Sequence, residues 1–162
     1  MLEQNKSASP ENEVPFHCAY NFPAVLLTLS SKAWPKLLPI YRQLVRDQRV
    51  RVRRTLAFSI HEVAKIVGPE ETEKELLPVL QLFMRDVSEV REGITESLPK
   101  FIKMLSREQR EHYAEKIASA QGEVHADWRK RIVLAHQIRK FSKVFSAETV
   151  HKHYLPLYFQ LC

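Results

Sequence analysis

The chain has 162 residues, enough for about one domain, with 44% apolar side chains and a net charge of +6. The apolar content excludes wholesale disorder, and only three glycines disfavour turn-rich sandwiches and glycine-rich nucleotide loops. The two cysteines, Cys18 and Cys162, indicate neither a disulfide framework nor a cysteine-based zinc site. No apolar run reaches the ~20 residues of a membrane span. We therefore expect a cytoplasmic protein with no membrane partner, and the nucleus stays open as a second compartment.

The elements predicted in chain order are all helices, because apolar residues recur with the helical period and no stretch alternates as a strand does. We expect a disordered tail at 1–14 and then a helical array at 15–162. Its first helix, at 15–30, should be irregular near Pro23. Helix pairs follow at 32–46 with 51–67, 72–85 with 89–105 and 107–120 with 126–144, and a last helix begins near 147.

These pairs are copies of one unit of about 39 residues. The segment Leu37-Leu38-Pro39 returns as Leu76-Leu77-Pro78, and again as Tyr154-Leu155-Pro156. A period of this length predicts an all-α fold, an α-solenoid of stacked helix pairs. The array then consists of a partial repeat at 15–30, repeats near 32–67, 72–105 and 107–144, and a truncated repeat at 147–162. Because the last repeat is incomplete, we expect a fragment or a short isoform of a longer array.

Two helix starts have their own sequence signals. Thr72 with Glu75, and Ser106 with Gln109, have the spacing of a capping box, in which a hydroxyl accepts from a free backbone N–H of the first helical turn. The sequence therefore predicts helices that begin just after Thr72 and just after Ser106.

Paired helices of about 39 residues with proline in the first helix, aspartate at the turn and Val-Arg opening the second are HEAT-like. The segment from Asp47 to Gly68, which contains Arg53-Arg54-Thr55-Leu56-Ala57-Phe58, resembles the HEAT-repeat regulatory subunits of protein phosphatase 4, as does Tyr20-Asn21-Phe22-Pro23-Ala24-Val25. Trp128-Arg129-Lys130-Arg131 is similar to the Trp-Arg-x-Arg openings in the scaffold subunit of protein phosphatase 2A. Within this family, the residues of the second repeat favour the subunit 4 type over the subunit 1 type.

The resemblance implies a non-catalytic solenoid that holds a serine/threonine phosphatase catalytic subunit, with other phosphatase subunits or substrates as further partners and no cofactor. In the related scaffold, the turns inside each repeat carry the contacts. The corresponding turns here are 46–51, 85–89 and 122–127. The partner-binding candidates are therefore Arg49, Arg51, Asp86, Glu89, Asp127, Trp128 and Arg129.

The densest charge feature is a run of five arginines within residues 46–54. Arg53 and Arg91 occupy one repeat position, so we expect them to bond Asp47 and Asp86 or neighbouring repeats and form an internal ladder, whereas Arg49 and Arg51 should be free turn residues. An alternative function is a HEAT-type nucleic-acid or nuclear-transport module that uses the whole run. Phosphate binding sums over many contacts, and the acidic second and third turns interrupt such a stripe, so nucleic acid is the weaker partner.

Catalytic and metal sites are not indicated. The pair His61-Glu62 lacks the second histidine that a zinc-protease helix needs four residues after the first. No nucleophile elbow, phosphate loop or paired acid and base is present. The sequence therefore predicts a protein that is not an enzyme and that binds no metal.

Overall fold

The computed structural model describes residues 10–121 and 128–161. Every regular element in those residues is a helix, which confirms the all-α class. The helices are α1 (Pro10–Leu29), α2 (Trp34–Val45, after a 3₁₀ turn Ser31–Ala33), α3 (Val50–Val67), α4 (69–84), α5 (Ser88–Ile102), α6 (Arg107–Gln121), α7 (Trp128–Phe141) and α8 (147–161).

Helices α4 and α8 each contain a π turn near the same point of the repeat. In α4 a short turn Pro69–Glu71 leads into the π turn Thr72–Leu76, and α-helix resumes at Leu77–Met84. In α8 the same order is Ala147–Thr149, Val150–Tyr154 and Leu155–Leu161. Each π turn ends two residues before a proline. A proline ring crowds the preceding turn and donates no hydrogen bond, and the wider turn relieves that conflict.

The first helix begins earlier and is more regular than the sequence suggested. It begins at Pro10, so residues 10–14 are helical and do not belong to a disordered tail, and residues 1–9 lie outside the described part of the chain. It also continues through Pro23 without a break. Its buried residues Ala19, Phe22 and Leu26 follow helical spacing, and their packing favours an unbroken helix.

The helices form two layers, as in the predicted solenoid. Second helices of successive repeats lie side by side, with the broadest contacts between α3 and α5 and between α1 and α3. First helices form the other layer, where Gln81 of α4 donates to the Tyr113 hydroxyl of α6 at 2.5 Å. One continuous apolar core extends between the layers from Ala19 to Leu157.

The close contact of α3 and α5 depends on small side chains. A Cβ atom at Gly93 would lie 3.0 Å from Cδ2 of Phe58 and 3.2 Å from the Arg54 carbonyl oxygen. Beside it, the Ser97 hydroxyl donates to the Ala57 carbonyl at 2.9 Å. Glycine therefore serves here for close approach, and the two helices are held at one register.

The predicted cap at Ser106 is present. The Gln109 N–H donates to Ser106 Oγ at 3.3 Å. The N–H of Ser106 donates to a Glu73 carboxylate oxygen at 2.6 Å, so the start of α6 is tied to the preceding first helix. Ser146 caps the start of α8 in the same way, because its hydroxyl accepts from the Thr149 N–H. Its own N–H donates to Glu111 at 3.1 Å.

The predicted cap at Thr72 is wrong. Gly68, with φ of 88°, is the residue before the helix, and the chain turns into α4 at Pro69. Thr72 is fully buried, and its hydroxyl donates to the Ala64 carbonyl of α3 at 3.2 Å. Proline favours the first helical turn because its fixed φ suits it, so the helix starts before the hydroxyl can act as a cap.

Replacing Ser106 by alanine should lower the free energy of unfolding by about 1 kcal/mol, because the hydroxyl that caps α6 is lost. Guanidinium denaturation followed by circular dichroism measures this. Ser119→Ala is the matched control on the same helix, where Ser119 is exposed and alanine is the better helix former. Equal losses for the two variants would contradict a cap at Ser106.

Candidate partner-binding ridge

The candidate residues lie on and beside the turns that join the two helices of each repeat. We call the turns 46–49 and 85–87, together with the first turns of α3 and α5 that follow them, the turn ridge. The third such turn, 122–127, lies outside the described residues.

Arg53 joins the two described turns of the ridge. Its Nε donates to Asp86 Oδ2 at 2.7 Å, and its NH2 donates to Oδ1 at 2.8 Å. Its NH1 donates to the carbonyl oxygens of Asp47 and Gln48, at 2.7 and 3.1 Å. The side chains of Arg53 and Asp86 are only 16% and 12% exposed, and two-pronged pairing of this kind fixes geometry as well as charge. The predicted ladder is therefore present at Arg53.

Both ridge aspartates are held in their charged form. The hydrogen bonds from Arg53 lower the pKa of Asp86 below its ordinary value of 3.8, and a bond from the Val87 N–H contributes. The hydrogen bonds from Arg49 lower the pKa of Asp47 in the same direction. Asp86 is thus engaged inside the molecule, which leaves it less available to a partner than the sequence suggested.

The prediction that Arg49 and Arg51 are free turn residues is wrong. Arg49 donates through Nε and NH2 to the Asp47 carboxylate, at 2.8 and 2.7 Å. Arg51 reaches back to α1, where its NH1 lies 3.1 Å from Glu13 Oε2 and its guanidinium lies 3.6 Å from the centre of the Phe16 ring. Their side chains stay 42% and 62% exposed, so both lie at the surface although each is engaged within the chain.

Glu89 is the exposed acidic residue of the ridge. It lies in the first turn of α5 and accepts a hydrogen bond from the Ser88 hydroxyl at 2.9 Å. Its pKa is lowered, mainly by its own backbone N–H and then by Ser88, with a smaller contribution from the Arg54 charge. The ridge therefore presents both signs of charge within two adjacent turns.

The remaining candidates fall at the edge of the described chain. Asp127 lies outside it. Trp128 and Arg129 are the first residues of helix α7, but their side chains lie outside the described part of the structure. Arg91, the other expected ladder residue, is exposed, and Asp86 pairs with Arg53, so the expected pair of Arg91 with Asp86 is not formed. The structure thus brings together Arg49, Arg51, Asp86 and Glu89, and leaves Asp127, Trp128 and Arg129 as predictions.

The arginine run is largely neutralised by its own neighbours. Three of its members, Arg49, Arg51 and Arg53, are paired with carboxylates of this chain. Because each pair reduces the charge that could meet phosphate groups, this arrangement disfavours the alternative nucleic-acid function.

Residues 10–121 and 128–161 contain no group of three or more histidine, cysteine, aspartate or glutamate side chains arranged to hold a metal ion. None of the helices in those ranges combines the length and the apolar character needed to cross a bilayer.

A second surface feature was not predicted from the sequence. An open groove of about 690 Å³ lies between α1 and α3. Two signals could have indicated it: the aromatic pair at Phe16 and Tyr20, one helical turn apart, and an acidic residue 38 positions before Arg51, close to the repeat period. Its principal lining residues are Phe16, Tyr20, Arg51, Arg54, Phe58 and Glu62.

Residues 18–120 match the family model described as the protein phosphatase 4 regulatory subunit 1 middle domain. The chain belongs to this family. The match includes both described turns of the ridge. It also includes the hydrogen bonds of Arg53 to Asp86, Asp47 and Gln48, which we call the Arg53 clasp. It ends before the third turn.

Curated relatives agree with the family of regulatory subunit 1. Serine/threonine-protein phosphatase 4 regulatory subunit 1 of Homo sapiens is 34% identical over 163 residues, which cover 100% of this chain and 17% of that protein. The Mus musculus subunit 1 gives the same values. Regulatory subunit 4 of Homo sapiens is 32% identical over 109 residues, 65% of this chain and 12% of that protein.

The preference for the subunit 4 type was therefore wrong, since the similarity to subunit 1 extends over the whole chain. The residues of a single repeat are dominated by core positions that any such array needs, so one repeat separates the two subunits poorly. The chain spans about 17% of the length of the subunit 1 relatives it matches.

Proposed function

We propose that this chain is part of a non-catalytic regulatory subunit that binds the catalytic subunit of protein phosphatase 4 through the turn ridge. The observation that carries the proposal is the family match over residues 18–120, which includes the two clasped turns. The relatives, which are named regulatory subunits 1 and 4 of that phosphatase, support the same partner. The proposed compartment is the cytoplasm, the expectation drawn from the sequence.

The chemistry of the ridge suits recognition of a surface that carries both charges. Arg49 and Arg51 place exposed positive charge on the ridge, which attracts carboxylates, and Glu89 places a negative charge there. In this proposal Asp86 is a positioning residue, because it holds Arg53 and so sets the distance between the turns. Asp127, Trp128 and Arg129 extend the proposed surface to the third turn, where tryptophan and arginine are frequent interface anchors.

The test is capture of purified catalytic subunits of protein phosphatases 4 and 2A by the 162-residue chain. We expect the phosphatase 4 subunit to be retained. The variant with Arg49→Glu and Arg51→Glu should retain it at least tenfold less, because two exposed charges are reversed at the contact. Retention is measured by quantitative immunoblot over a range of catalytic-subunit concentrations.

The matched control reverses Arg139 and Lys140, two exposed residues in the last turn of α7, which gives the same change in net charge away from the ridge. Equal capture by both variants would contradict the ridge as the contact. Failure of the unaltered chain to capture the phosphatase 4 subunit would contradict the proposal for this chain.

A further inference from the structure

We propose that the groove between α1 and α3 docks an extended peptide segment of a partner protein, in which an acidic and a basic residue flank an apolar side chain. This site lies on the second-helix layer beside the turn ridge, and Arg51 belongs to both surfaces. The inference does not depend on the identity of the phosphatase.

The groove lies between two helices of the same layer. Its walls, α1 and α3, are neighbouring parallel helices, because residues near the start of one meet residues near the start of the other, as Glu13 meets Arg51. The lining then proceeds along both helices in the same order, from Phe16 and Arg51 to Ala24 and Glu62.

Aromatic side chains line the middle of the groove. The rings of Phe16 and Tyr20 lie 6.2 Å apart on α1, and Phe58 of α3 lines the same groove. Tyr20 is 67% exposed, although apolar and aromatic surface is stabilised by burial. An apolar side chain of a bound segment would cover these rings.

One end of the groove is cationic and already holds a carboxylate. Arg51 lies over the Phe16 ring and forms an ion pair with Glu13. Arg54 lies beside it, with its guanidinium 5.3 Å from the Phe58 ring centre. The charges of Arg54 and Glu89 of α5 act on each other, but none of the described side chains places a carboxylate within ion-pair distance of Arg54. This end therefore has the chemistry to bind one more carboxylate.

The other end carries the opposite charge, and the spacing fixes the ligand. Glu62 is exposed and lines the groove eight residues after Arg54 on the same helix. Eight helical residues span roughly 12 Å. An extended chain covers about 3.3 Å per residue, so an acidic and a basic residue four positions apart reach both ends. The apolar residue midway between them then lies over the rings.

The experiment uses three capped peptides, Asp-Ala-Phe-Ala-Lys, Asp-Ala-Phe-Ala-Asp and Lys-Ala-Phe-Ala-Lys, titrated into the ¹⁵N-labelled 162-residue chain and followed by NMR. We expect the first peptide to bind most tightly. It should shift the amide signals of Tyr20 and of Thr55 and Ser59, which also line the groove. Glu62→Lys should make the Asp/Asp peptide the tightest, and Arg54→Glu should do the same for the Lys/Lys peptide. Each preference should change by about threefold, the usual effect of an exposed charge pair.

Matched controls place the same changes on α5, where Arg91 and Glu96 are exposed. Arg91→Glu and Glu96→Lys should leave the order of the three peptides unchanged. The proposal is overturned if these variants reorder the peptides equally, which would indicate net charge alone, or if no peptide shifts the groove amides. It is also overturned if those amides shift with protein concentration alone, since a second copy would then be the occupant. Residues 49 and 89 are unaltered throughout, so failure here leaves the phosphatase proposal standing.

Discussion

Replacing Arg53 by alanine will lower the free energy of unfolding by about 3 kcal/mol. The substitution leaves Asp86 charged and mostly buried, and the carbonyl oxygens of Asp47 and Gln48 lose their donor. Breaking one side of a largely buried pair has a cost of this size. Guanidinium denaturation followed by circular dichroism at pH 7 measures the loss.

Arg42→Ala is the comparison for this variant. Arg42 pairs with Glu75 at 2.5 Å across the same sequence separation, but its side chain is 57% exposed. An exposed pair of this kind contributes less than about 1 kcal/mol. Equal losses of unfolding free energy for Arg53→Ala and Arg42→Ala would show that the Arg53 clasp stabilises the fold no more than an exposed ion pair does.

The clasp also has a pH signature. Because Arg53 lowers the pKa of Asp86 in the folded state, the unfolded chain binds a proton more readily there. The stabilisation that charged Asp86 contributes is fully present above the ordinary pKa of 3.8. It is lost as the pH falls through the lower pKa of the folded state. The unaltered chain should therefore lose more stability than Arg53→Ala between pH 5 and pH 2. Parallel curves would contradict this assignment.

Replacing Trp34 by alanine is expected to have the largest effect, about 3–5 kcal/mol. Trp34 is 2% exposed and packs against Tyr41, with ring centres 5.6 Å apart. Its Nε1 also donates to Glu71 Oε2 of α4 at 2.9 Å. The change therefore removes core volume and a link between the first helices of two repeats. Far-UV circular dichroism follows the unfolding, since a tryptophan signal is altered by the substitution itself.

Trp34→Phe separates the two contributions. Phenylalanine keeps most of the buried ring and loses the hydrogen bond, so we expect a loss of about 1–2 kcal/mol. A loss below 1 kcal/mol for Trp34→Ala would contradict the packing described here. A loss for Trp34→Phe as large as for alanine would show that the bond to Glu71 is the main contribution.

The repeat and the helices were predictable because they depend on local pattern. Apolar spacing defines a helix face, and the recurrence of Leu-Pro near residues 38, 77 and 155 defines the period. The Ser106 cap was predictable for the same reason, since it involves residues three positions apart. Arg53 and Asp86 were recognised as ladder residues because each recurs in the repeat, Arg53 with Arg91 and Asp86 with Asp47.

The features that were predicted wrongly or missed depended on which of several possible groups a side chain contacts in the folded chain. Thr72 had the spacing of a cap, but Pro69 starts the helix earlier, and the hydroxyl bonds to α3. Arg49 was expected to be free, although Asp47 stands two residues away and accepts its guanidinium. The groove required the register of α1 against α3, which the sequence of either helix alone does not contain. Local spacing shows which bonds are available, and packing decides which of them form.

The Arg53 clasp has a mechanical consequence. Arg53 bonds the loop at 46–49 and also Asp86, 33 residues after Arg53 in the next loop. These hydrogen bonds hold the two loops at one separation. Any molecule that contacts both loops meets a spacing that is already set. Little conformational entropy is then lost at that surface on association, and preorganisation of this kind strengthens binding without adding a contact.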